Sequence, residues 1–132
     1  MVSLNDITLS TVNDVVLQRC NVVNSIHINS SSNAVIKNCY IGGNININSG
    51  VGTQVLNSII KSFVHVSNTA SAVLTNNVLA ANSYANAPTI YNTTYRNNIF
   101  LNMITVVGFS NCLLENNIAN NAQFAATNGN QI

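Results

Sequence analysis

The side chains able to do acid–base, nucleophilic or metal chemistry in this 132-residue chain are few. The carboxylates are Asp6, Asp14 and Glu115, two near the start and one near the end. Glycoside hydrolysis generally needs a pair of carboxyls about 5–10 Å apart. Calcium takes about six to eight oxygen ligands, usually several of them carboxylates. Neither set can be assembled from residues so dispersed. His27 and His65 do not lie within one short motif, and Cys20, Cys39 and Cys112 match no zinc spacing. Gly50-Val51-Gly52 lacks the third glycine and following helix of a dinucleotide loop. No catalytic residue, metal ligand or cofactor is therefore assigned, and the chain leans away from an enzyme.

The elements that position these side chains follow from self-comparison. Asn38, Asn57, Asn76, Asn97 and Asn116 are separated by 19, 19, 21 and 19 residues, and stepping back 19 from Asn38 reaches Arg19. The longer interval contains Ala87-Pro88-Thr89, which fits a loop insertion. Apolar columns keep the same register. Two positions before each asparagine stand Leu17, Ile36, Val55, Leu74, Tyr95 and Leu114. Three after stand Val22, Ile41, Ile60, Leu79, Phe100 and Ala119. Seven and nine after begin with Ile26/Ile28, Ile45/Ile47 and Val64/Val66, and Ile7/Leu9 extend them one coil earlier.

Positions two apart on a strand share a face. The paired isoleucines therefore mark strands, and β-branched residues suit them. Gly42-Gly43 and Gly50-Val51-Gly52 read as turns. A strand recurring every 19 residues with one inward face implies parallel stacking, coil on coil. The expected fold is all-β: a parallel β-helix, or β-solenoid, of about six 19-residue coils with an internal asparagine ladder. Residues 1–132 form one domain, either whole or a fragment of a longer solenoid.

The ladder is assigned to Asn38, Asn57, Asn76, Asn97 and Asn116. A sharp turn strands backbone groups that stacked amides can satisfy, and asparagine tolerates the left-handed conformation. Cys20, Cys39, Ser58, Asn77, Asn98 and Asn117 form the next column, small or polar throughout. One coil separates Cys20 from Cys39, so a disulfide and a pair of stacked thiols are both compatible with the spacing.

The phrase apolar-x-Asn-Asn-x-apolar recurs as Leu74–Leu79, Tyr95–Phe100 and Leu114–Ala119. It resembles the pectate-lyase-like right-handed β-helix family over nearly the whole chain. The resemblance implies a right-handed coil and, from the Asn-rich, charge-poor style, kinship with secreted or surface β-helix proteins of bacteria. It carries over no catalytic residue, because the carboxylate clusters of the family's lyases and hydrolases have no counterpart here. The resemblance is to a fold that hosts many activities.

The outward face of the Ile26/Ile28 strand collects neutral hydrogen-bonding groups and rings: His27, Asn29, Asn46, Asn48, His65, Tyr84 and Asn86. Such a face suits neutral sugars, making a polysaccharide one expected partner. His27 and His65 stand two coils apart, nearly 10 Å, too far to share a metal ion or a proton. Charged residues make up only 5% of the chain, which argues against nucleic acid. No apolar run is long enough to insert in a membrane as a helix. Met1 to Asp6 do not read as a signal peptide. The expected function is a structural or adhesive extracellular or cell-surface module that self-associates through its solenoid ends; the alternative is a carbohydrate-binding β-helix or a fragment of a polysaccharide lyase or hydrolase.

Overall fold

The computed structural model describes residues 2–80, 90–101 and 109–119, with backbone alone at 90 and 109. It is all-β, without a helix among the described residues, and forms a parallel β-solenoid with about 19-residue spacing. The described residues trace about five turns, against the six or so expected of the whole chain.

Among the described residues the coils stack their strands into three main sheets, with a separate parallel pair of Ile90–Tyr91 and Phe109–Ser110. Sheet one stacks seven short strands: Val2–Leu4, Cys20–Val22, Tyr40–Ile41, Ile59–Ile60, Val78–Leu79, Ile99–Phe100 and Ile118–Ala119. Sheet two holds Ile7–Ser10, Ile26–Asn29, the first part of Ile45–Leu56, and Val64–Val66. Sheet three holds Val16–Gln18, Val35–Lys37, the end of Ile45–Leu56, Ala70–Thr75, Thr93–Arg96 and Leu113–Glu115. The expected turn at Gly50-Val51-Gly52 lies inside the 12-residue strand Ile45–Leu56, which joins sheets two and three. The chain bends there instead of breaking. Gly50 has φ 135°, a region open essentially to glycine, and an added Cβ would fall 1.8 Å from the Ser31 carbonyl oxygen.

The core is the inward column of each sheet. Val22, Ile41 and Ile60 from sheet one, Ile26, Ile28, Ile45 and Ile47 from sheet two, and Ile36, Val55 and Leu74 from sheet three are fully buried. Ile7 and Leu9 pair with Ile26 and Ile28, continuing both columns one coil earlier. The registers are the 19-residue columns of the sequence, with a 21-residue step from Val78 to Ile99. Ser83, Ala85, Ile104, Val106, Gln123 and Ala125, which would continue the sheet-two columns, lie outside the described residues.

Left-handed residues make the corners. Arg19, Asn38, Asn57, Asn76, Asn97 and Asn116 have φ between 49° and 57°. They separate sheet three from sheet one. A second set, Asp14, Asn33, Asn92 and Asn111 with φ between 46° and 58°, and Gly52 at 74°, precedes sheet three. Small polar side chains and glycine are the residues that reach this region at least cost.

Candidate functional site

The expected internal ladder is displaced by one residue. Asn38, Asn57, Asn76, Asn97 and Asn116 supply the left-handed corner, but their side chains are exposed. The inward stack is the neighbouring column, where Cys39, Ser58, Asn77, Asn98 and Asn117 are buried and Cys20 is partly so. The reason is alternation: a residue in the corner conformation points out, and its successor points in.

The backbone explains why that inward column is polar. At each corner two successive N–H groups face the next coil. The first finds a carbonyl, as when Asn76 N–H donates to Arg96 O at 3.1 Å. The second finds a side chain. Cys39 N–H donates to Ser58 Oγ at 3.1 Å. Ser58, Asn77 and Asn98 N–H donate to the Oδ1 atoms of Asn77, Asn98 and Asn117, each at 2.9 Å. The same amides reach back through Nδ2. Asn77 donates to Val55 O at 2.8 Å, Asn98 to Leu74 O at 3.0 Å, and Asn117 to Tyr95 O at 2.9 Å. These amides pair backbone groups that would otherwise be buried unsatisfied.

All three carboxylates join adjacent coils. Asp6 accepts from the Ser25 backbone N–H at 3.0 Å and from Asn24 Nδ2 at 3.1 Å, and the first of these bonds holds its carboxyl below the usual carboxylate range. Asp14 accepts from Asn33 Nδ2 at 3.0 Å. Glu115 pairs with Arg96, with both guanidinium contacts at 2.7 Å. Among the described residues no group of three His, Cys, Asp or Glu side chains is placed to hold a metal ion.

Cys20 and Cys39 stand as free thiols, one of the two states their spacing allowed. Their Sγ atoms donate to Gln18 O at 3.4 Å and Lys37 O at 3.2 Å. Burial pushes the Cys39 and Cys112 thiols up, away from the reactive thiolate form.

The expected sugar-contact face forms the outside of sheet two. Thr8, His27, Asn46 and His65 are paired in one column, so the two histidines are two coils apart as the spacing required. Asn46 Nδ2 lies 3.4 Å from His27 Nδ1, and Asn48 Nδ2 donates to Asn29 Oδ1 at 2.7 Å. These amides thus bond to their neighbours along the column. Partial burial holds His65 below the usual histidine value. Tyr84 and Asn86 lie outside the described residues.

Two features escaped the sequence reading. One is a shallow groove of about 560 Å³ lined by Ser71, Asn92, Thr94, Asn111, Cys112 and Leu113. The other is the outward column of sheet one: Tyr40, Ile59, Val78, Ile99 and Ile118 stand in continuous register, and all but Val78 are well exposed. The signal was present in the sequence, since these positions lie two after each asparagine and are uniformly apolar. It was masked because buried columns look the same.

The class these observations define is a parallel β-solenoid repeat protein. No family model, curated protein or solved structure matches the chain.

Proposed function

We propose that the chain is a non-enzymatic structural or adhesive module, extracellular or on a cell surface, whose solenoid extends by stacking coils end to end. The observation that carries this reading is the use made of its polar side chains. The inward amides and all three carboxylates bond across to the neighbouring coil. The chemistry the chain possesses thus holds coil to coil. The recurring Asn-Asn phrase and its inward amide stack support membership of the pectate-lyase-like class. A right-handed coil agrees with the general preference for right-handed crossovers between parallel strands. Low charge and abundant Asn, Ser and Thr support the extracellular setting.

Among the described residues, Val2–Leu4, Ile7–Ser10 and Val16–Gln18 each pair on one side only, so all three sheets present an edge at the first coil. Parallel edges of this kind accept a further coil, whether from a longer chain or a second copy. Light scattering with electron microscopy tests this: growing rods are expected as concentration rises. A monomer whose first-coil amides resist hydrogen exchange overturns end stacking. Turnover of pectin, alginate or a similar polymer overturns the non-enzymatic reading.

The second reading, a carbohydrate-binding module, is favoured by the rows of amides on sheet two. A glycan array without binding removes it. Binding lost in Asn46→Ala or Asn48→Ala supports it.

A further inference from the structure

The exposed column on sheet one has the form of an interface. Tyr40, Ile59, Val78, Ile99 and Ile118 occupy five successive rungs, spanning roughly 19 Å at the spacing of parallel strands. Val23 and Leu101 flank them. Six of these residues, Val23, Tyr40, Ile59, Ile99, Leu101 and Ile118, are between 38 and 59% exposed. The column itself carries no charge, and the exposed Lys61 stands in the flanking column between Val23 and Leu101. Exposed apolar patches of this continuity mark contact surfaces.

We propose that this face pairs with the same face of a second copy, forming a two-fold dimer by sheet-on-sheet packing. Two observations select that occupant. The first is area. Each of the six residues offers roughly 80 Å², so two copies bury up to about 1,000 Å², the lower bound for a specific interface and the size of a weak, reversible one. The second is period. Two identical ladders share one rung spacing, so the side chains of one fit between those of the other along the whole stripe, at the roughly 10 Å separation of packed sheets. A two-fold axis makes the contact self-complementary and closed.

The pairing does not rest on end stacking, and the two are distinguishable by stoichiometry: facing stripes stop at two copies, whereas stacked ends do not. Sedimentation velocity on the wild-type chain is expected to show a reversible dimer. Ile59→Lys combined with Ile99→Lys is expected to weaken it by on the order of a hundredfold or more, because each charge is buried twice across the axis. Ile59→Thr, which keeps strand preference, is expected to weaken it by about tenfold. Thr8→Lys on sheet two leaves it unchanged. Circular dichroism identical to wild type shows that the substituted chains fold. A chain that is monomeric at every concentration overturns the proposal, whether its own residues cover the stripe or leave it bare. So does a dimer indifferent to the substitutions at 59 and 99. Binding to phosphatidylcholine vesicles through this stripe, without a dimer, overturns it in favour of a lipid occupant.

Discussion

The two corners that flank sheet three share a backbone conformation but solve its consequences differently. After the corner at Asn38, Asn57, Asn76, Asn97 and Asn116, the next residue turns inward and is polar. Its side chain bonds across coils inside the core. After the corner at Asp14, Asn33, Gly52, Asn92 and Asn111, the inward residues are Val15, Ala34, Thr53, Thr93 and Cys112, mostly small or apolar. Here the coils are tied outside, by the corner residues and by Ser71, which stands at the same position in the fourth coil. Asn33 donates to Asp14 at 3.0 Å, Asn111 to Asn92 at 2.8 Å, and Gly52 N–H to Ser71 Oγ at 3.1 Å. One asparagine ladder is internal and the other faces water. A hydrogen bond shielded from water costs far more to break, because its partners are left unsatisfied. The inner ladder therefore carries stability, and the outer one chiefly selects a conformation.

The sharpest way to break this contrast is Asn98→Ala. It removes the acceptor of Asn77 N–H and the donor to Leu74 O, both buried. A loss of about 3 kcal/mol is expected in denaturant unfolding. Ser58→Ala leaves Cys39 N–H without its side-chain acceptor and costs about 1–2 kcal/mol. At the other corner the sign reverses. Thr53 Oγ1 is buried and has no hydrogen-bond partner, whereas Thr93 Oγ1 donates to Tyr91 O at 2.6 Å. Thr53→Val is expected to raise stability by about 1 kcal/mol, and Thr93→Val to lower it by a similar amount, read from paired thermal melts. Asn111→Gly keeps the left-handed φ and loses only an exposed bond, so a change within about 0.5 kcal/mol is expected.

The smallest effect concerns acid. The Asp6 carboxyl is lowered in the folded chain by the Ser25 N–H and Asn24. Its contribution is present above the unfolded value of about 3.9 and is lost as pH falls through the folded value. Asp6→Asn should remove that part of the acid sensitivity, seen as a flatter stability profile below about pH 4.

Much of the architecture was legible because stacking copies the sequence period into space. Val22, Ile26, Ile28 and Ile36 are buried where the columns placed them, and the 21-residue coil falls where the spacing lengthened. What the period does not encode is which of two adjacent asparagines turns inward. Both repeat equally well, and only the left-handed φ of the first sends the second into the core. The outer corner was legible too: Asp14, Asn33, Gly52, Asn92 and Asn111 keep the same register, each tolerant of positive φ. It went unseen because its residue types vary. The apolar stripe of Tyr40 to Ile118 was hidden for a different reason. Sheet one has two neighbouring apolar columns, and hydropathy alone does not say which one faces out.

The coil-to-coil bonds have a mechanical consequence. Every ladder bond between successive strands runs along the axis of the stack, and each coil is held by its neighbours alone. Pulled from its ends, such a chain yields by peeling one coil at a time, since rupture at one coil leaves the next intact. Each event releases one 19-residue repeat, lengthening the tether by about 60 Å. The force needed would step upward where the inward column changes from Cys20 and Cys39 to Asn77 and Asn98, whose amides bond to the coils on both sides.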